Sequence, residues 1–175
     1  MDCIKPALGA ALTASLLFVQ SANARTEKVT LGYLETAYVG DSMLEMGAKL
    51  DTGADFSSIY ARDIKVFQNR DKEEWVSFRL VGDDGRTIRY KKKVIRTAFI
   101  KTKTGGNIER PVISLDLCVG GLTYTTPVNL ADREDFDHPL LVGREFLARR
   151  VLVDSGQSYT ADEGCVSAAE EQNPS

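Results

Sequence analysis

Apolar and polar residues alternate in short runs along most of this chain. Period-two alternation is the mark of strands that bury one face. Lys28 to Val39 reads as a strand with a break near Gly32. Met43 to Leu50 is a second run and ends at Asp51; Ser57 to Ala61 is a short third. Trp75 to Val81 and Thr87 to Thr97 alternate on either side of Gly82-Asp83-Asp84-Gly85, a hairpin signal. Ala98 to Lys103 and Ile108 to Ile113 flank Thr104-Gly105-Gly106-Asn107. Ser114 to Val119 and Leu122 to Val128 flank Gly120-Gly121. One short helix is expected, Arg144 to Arg149. Many short strands at even spacing predict an all-β barrel or sandwich.

The two ends break this pattern. Ala7 to Val19 is apolar with Thr13 and Ser15 as its polar interruptions, and Ala22-Asn23-Ala24 is an Ala-x-Ala exit. Residues 1–24 therefore read as a secretory signal peptide. The apolar run is too short for a transmembrane span, and no later run in the mature chain reaches that length. The protein is expected to be exported, and periplasmic if the cell is Gram-negative. The remainder is the length of one domain, expected over residues 25–160, with a polar, disordered tail at 161–175.

Charge and residue counts remove several kinds of chemistry. Twenty-two Lys and Arg against 25 Asp and Glu leave a net charge of −3, so a nucleic-acid partner is not expected. The single His, His138, cannot supply the three protein ligands of a catalytic zinc site. A loop or core role is expected for it, and no metal or other cofactor. No Gly-x-Ser-x-Gly elbow and no phosphate-cradling glycine loop is present. Two cysteines follow the leader, Cys118 and Cys165. In an oxidising compartment they fit either one disulfide or two free thiols.

Carboxylate chemistry is left. Two carboxyls brought together cannot both ionise easily, so they share a proton. One then acts as base on water while the other donates to a carbonyl. This needs an aspartate on a tight turn with small neighbours. Asp51-Thr52-Gly53-Ala54 fits, because glycine permits close approach and the Thr hydroxyl can brace the turn.

Asp51-Thr52-Gly53-Ala54-Asp55 resembles the active-site motif of retropepsin-like aspartic proteases. Pro139 to Leu147 (PLLVGREFL) resembles their late segment, where an apolar strand meets Gly143-Arg144 and a short helix. From Thr30 to Tyr159 the chain is similar to the bacterial retropepsin-like family that carries the label of an ATP-dependent zinc protease. Gly47 to Ala54, Trp75 to Phe78, Glu109 to Ile113, Leu130 to Arg133 and Leu140 to Arg144 carry that likeness. The label fits poorly, since the chain shows neither zinc ligands nor an ATP site.

The resemblance implies an all-β, closed, six-stranded-type acid-protease barrel. Asp51 would be catalytic, with its dyad completed by Asp51 of a second copy in a homodimer. Thr52, Gly53 and Ala54 would form the catalytic turn, and Arg144 would pair with Asp55 to frame it. The flap would be Thr104, Gly105, Gly106 and Asn107. Lys101, Lys103 and Arg110 beside it would meet an acidic or glutamate-rich peptide substrate, by the family's association with glutamate-adding ligases. Arg89, Lys91, Lys92, Lys93 and Arg96 would form either a basic wall or a solvated edge that resists aggregation. A non-catalytic peptide-binding module on the same barrel is the alternative, as is a plain structural β-domain. Asp154-Ser155-Gly156 mimics the motif, but only a short stretch follows it, so Asp154 is expected to end a late strand.

Overall fold

A computed structural model describes residues 28–101, 105–132, 134, 136–161 and 164–165. The expected signal peptide, Lys103, Thr104 and residues 166–175 lie outside the described residues. Among the described residues eleven strands and one short helix follow in order. They are β1 Val29–Val39, β2 Leu44–Leu50, β3 Ser57–Tyr60, β4 Arg62–Gln68, β5 Glu74–Val81 and β6 Thr87–Lys93. Then come β7 Arg96–Lys101, β8 Asn107–Val119, β9 Leu122–Ala131, β10 Leu140–Val142, α1 Arg144–Leu147 and β11 Val151–Ser158.

The larger sheet closes on itself. Around the ring β1 pairs with β2, β2 with β10, β10 with β3, β3 with β9, β9 with β8, and β8 again with β1. Six strands thus form a closed all-β barrel. β11 runs parallel to β1 and β7 antiparallel to β8, so both extend the sheet outside the ring. The alternation in β2 shows why the ring has an inside. Leu44, Met46, Ala48 and Leu50 are buried, while Glu45, Gly47 and Lys49 face outward. Each large apolar side chain so buried contributes about 1.5–3 kcal/mol. Phe146 and Leu147 of α1 close one end of the same core.

A second sheet, β4-β5-β6, is packed on this barrel through Val76, Phe78 and Leu80. Its β5–β6 turn is fastened to β2. The Gly47 N–H donates to Asp83 Oδ2 (2.6 Å), and the Asp83 N–H donates to the Glu45 carbonyl (3.0 Å). β10 pairs with β2 only from Ala48 onward, so Asp83 satisfies a backbone donor that the ladder leaves open.

Several boundaries differ from the sequence pattern. β4 escaped notice because its residues are mostly polar and exposed, with no clean alternation. Thr87 to Thr97 is two strands, because the chain leaves one sheet and enters the other at Val94-Ile95. Ile108 to Val119 belongs to one strand, and α1 stops at Leu147. The break near Gly32 is a register shift between Gly32 and Leu34. A Cβ on Gly32 would stand 2.6 Å from the Gln157 carbonyl oxygen.

The chain remains bound past residue 160. Ala161 packs against the core and Cys165 is disulfide-bonded to Cys118. Buried Glu35 accepts from the Gly32 N–H (2.7 Å), the Thr160 N–H (3.0 Å) and the Thr160 hydroxyl (2.8 Å). That carboxylate needs no cation because backbone and hydroxyl donors satisfy it. Among the described residues no helix is long and apolar enough to cross a membrane.

Candidate active site

The strand order sets up the site. β10 inserts between β2 and β3, the strands on either side of the Asp51 turn, parallel to the first and antiparallel to the second. The Asp51 N–H donates to the Val142 carbonyl (2.9 Å), so the turn springs from the end of β10 as well as from β2. The next residue, Gly143, passes against the far limb of the turn. A Cβ there would stand 2.6 Å from the Phe56 carbonyl carbon and oxygen, so only glycine fits without movement. The Gly143 N–H donates to Ser57 Oγ (3.1 Å).

Arg144 follows and holds the turn from outside. Nη1 donates to the Thr52 carbonyl (3.0 Å) and the Gly53 carbonyl (3.1 Å). Nη2 donates to the Asp55 carboxylate. The Arg144 N–H donates to the Ala54 carbonyl (2.8 Å) and the Glu145 N–H to the Asp55 carbonyl (3.1 Å). The backbone of residues 52–55 is therefore bound at four carbonyls by two residues of one short segment. Inside this frame the Gly53 N–H donates to Asp51 Oδ1 (2.8 Å). Asp51 is half-buried, and its carboxylate reaches a cavity of about 370 Å³. Tyr33, Lys49, Phe136, Asp137, His138 and Leu141 line the rest.

A second network braces the limb after the turn. Ser58 Oγ donates to Asn129 Oδ1 (2.9 Å), and Asn129 Nδ2 donates to the Ser57 carbonyl (2.8 Å). Arg110 Nη1 approaches the same Asn129 Oδ1 at 3.4 Å. Burial lowers the pKa of the Arg110 guanidinium from its usual value.

The remaining expected site residues are more dispersed. Gly105, Gly106 and Asn107 lie exposed at the β7–β8 turn, with Gly105 at φ +90°. Lys101 ends β7 and is exposed. Arg110 is half-buried and tied to Asn129. The basic run divides. Lys93 pairs with Glu73 (2.6 Å) and Lys91 sits over the Phe67 ring, both on the separate sheet. Arg96 instead lies in β7 and stacks on Phe56, 4.1 Å from the ring centroid. Among the described residues no group of three or more His, Cys, Asp or Glu is placed to hold a metal ion.

Lys49, His138 and the Arg96–Phe56 contact are what sequence reasoning passed over. Lys49 carried a signal: in an alternating strand it shares the outward face with Asp51, two residues on. His138 carried a weaker one, its place just before the apolar β10.

A closed barrel whose late strand threads beside an Asp-Thr-Gly turn defines a retropepsin-like protein. The chain belongs to the RimB-like family, the retropepsin-like aspartic endopeptidases of RimB type, whose model matches residues 30–164. It is similar to a crystal structure of a Legionella pneumophila protein of unknown function, at 28% identity and a TM-score of 0.67. That match covers 78% of this chain and 100% of the other. A probable alpha-L-glutamate ligase of Shewanella pealeana is 34% identical over 119 residues, 66% of this chain and 26% of that protein. Another of the same name, from Parasynechococcus marenigrum, is 31% identical over 138 residues, 77% of this chain and 29% of that protein. The chain spans about a quarter of the length of these curated relatives.

Proposed function

We propose that this protein is an exported aspartic endopeptidase that acts as a homodimer on acidic, glutamate-rich peptides. The observation that carries the reading is the Asp51 turn, presented to a cavity and held at its backbone by Arg144. The described hydrogen bonds of Asp51 run to Gly53, Ala54 and Val142. A dyad therefore calls for a second carboxylate, and a symmetric dimer supplies the same residue from the other side of its axis. β11 ends the sheet with Leu152 exposed, an edge suited to such an axis. With one proton between them, one Asp51 takes a proton from water as it attacks the peptide carbonyl. The other gives its proton to the carbonyl oxygen. Collapse of the tetrahedral intermediate, with a proton passed to nitrogen, releases the amine. Water activation by carboxylates needs no metal and no cofactor.

Acidic peptides are favoured by the flap cations Lys101, Lys103 and Arg110, and by the glutamate named in the longer relatives. Export is supported by the N-terminal pattern and by the Cys118–Cys165 bond, which suits an oxidising compartment. The competing reading is a peptide-binding module without catalysis, favoured by the Asp51 carboxylate, whose described hydrogen bond comes from the nearby Gly53 N–H.

Two measurements decide between them. Light scattering of the chain from Arg25 onward, across a concentration series, should show a dimer. Asp51→Asn should abolish cleavage of glutamate-rich peptides and leave the fold intact. A strict monomer at high concentration, or full activity in Asp51→Asn, removes the peptidase reading.

A further inference from the structure

Among the described residues, two guanidinium groups near the limb that follows Asp51, those of Arg96 and Arg110, have no carboxylate partner. Arg96 pairs with Val112 and Ala98 with Arg110 across the β7–β8 ladder. Arg96 and Arg110 are therefore diagonal neighbours on one face of the flap hairpin. Such Cβ atoms lie roughly 7–8 Å apart, within reach for long side chains. Ile100 and Ile108 are directly paired on the same face nearer the tip. Glu109 pairs with Phe99 and points to the opposite face, so the hairpin offers these arginines no acid of its own.

One arginine meets the limb that follows Asp51 directly and the other through Asn129. Arg96 stacks on Phe56, and Arg110 reaches Asn129, which holds the Ser57 carbonyl. Both are half-buried. Among the described residues neither enters an ion pair, and Arg96 Nη2 is enclosed with no hydrogen-bond acceptor. Desolvating a cation without a counter-charge is costly, and placing two side by side adds repulsion. The framing arginines of this barrel find acceptors, Arg144 the Asp55 carboxylate and two carbonyls, Arg150 two carbonyls. Uncompensated, partly desolvated charges next to a reactive group are the mark of a ligand site.

We infer that Arg96 and Arg110 form a receptor for a carboxylate side chain of the bound peptide, seated between the base of the flap and the Phe56–Ser58 limb. The planar forks suit a carboxylate, which accepts two parallel N–H bonds from one guanidinium. Phe56 orients the Arg96 plane, and Asn129 orients Arg110. The subsite makes the flap hairpin a reader of charge. It rests on the peptide-binding reading above and not on cleavage.

The test uses the full mature chain carrying Asp51→Asn, so that peptides bind without turnover. The probes are two ten-residue peptides identical except that every Glu in one is Gln in the other. Calorimetry should give the Glu peptide about tenfold tighter binding, equivalent to ~1.4 kcal/mol. Adding Arg96→Met or Arg110→Met should remove most of that advantage and leave the Gln peptide unchanged. Arg96→Lys should recover part of it. The melting temperature of Arg96→Met should hold or rise, since an uncompensated cation is replaced by a side chain of similar length. Equal affinity for the two peptides, no binding of either, or variants that weaken both alike would overturn the proposal. So would a fall in melting temperature with unchanged discrimination, which marks a purely structural arginine. Loss of cleavage in Asp51→Asn is a separate result, so the subsite and the peptidase reading fail independently.

Discussion

Two segments after apolar residues place a hydroxyl residue between Asp and Gly, Asp51-Thr52-Gly53 and Asp154-Ser155-Gly156. Locally they match. In each the glycine N–H donates to the aspartate Oδ1 at 2.8 Å. Their surroundings differ. The first sits between β2 and β3 with β10 threaded beside it, and Arg144 binds its carbonyls. The second lies within β11, on the outside of the sheet, where residues 154–158 are all exposed. Asp154 does not end the strand as its sequence suggested, because β11 continues to Ser158 alongside β1. A motif of three residues thus sets only a local hydrogen bond. What separates a candidate site from a turn is the frame that distant segments build around it.

The largest contrast is in cleavage. Asp51→Asn should lower kcat/KM by about 10²–10⁴-fold, the usual contribution of a positioned acid or base. Asp154→Asn, assayed on the same glutamate-rich peptide, should match the wild type. If the two variants lose activity equally, the edge strand belongs to the catalytic machinery and the comparison collapses.

The glycines give the next contrast, in stability. Gly143→Ala places a Cβ against the Phe56 backbone, which cannot move without dragging the turn. Urea denaturation should show a loss of about 1–3 kcal/mol, the cost of an overpacked site. Gly156→Ala meets only Asp154 Oδ1, at 3.3 Å, on an exposed side chain that can rotate away. Its change should stay within about 0.5 kcal/mol. A tolerated Gly143→Ala would mean that the β10–turn contact is looser than its geometry.

How much of this was legible in the sequence follows the same division. Alternation located β1, β2, β3, β5 and the hairpins, because each buries one face and carries its pattern locally. It could not locate β4, whose polar residues are held by pairing with β5 and not by burial. Nor could it divide β6 from β7, since the crossing at Val94-Ile95 is fixed by two different sheets. Asp51 stood out through its motif, whereas the Arg144–Asp55 contact was reached by resemblance alone; a separation of 89 residues leaves no periodic trace. Arg96 was grouped with the basic run of β6, and its separate place on β7 against Phe56 was not legible, for a related reason. A cation on an exposed strand looks like solubility until the structure shows which acids it lacks.

Arg144 sharpens the comparison through its smallest effect. It is exposed at 49% and Asp55 at 65%, so the ion pair itself contributes about 1 kcal/mol or less to folding. Arg144→Lys keeps the charge but loses the fork that spans two carbonyls and a carboxylate. The melting temperature should fall by only about 2–4 °C. Activity should fall more, roughly tenfold, because the carbonyls of Thr52 and Gly53 lose their shared donor and the Asp51 turn loosens. Arg150 is the control. Its Nη1 donates to the Glu145 carbonyl (3.1 Å) and the Phe146 carbonyl (2.9 Å), and its guanidinium stacks on Tyr124. Arg150→Lys should cost similar stability without touching catalysis, since it leads into β11 and not into the turn. Equal losses of activity in the two variants would show that the frame serves folding alone, and the distinction between the Asp51 and Asp154 segments would then rest on Asp51 by itself.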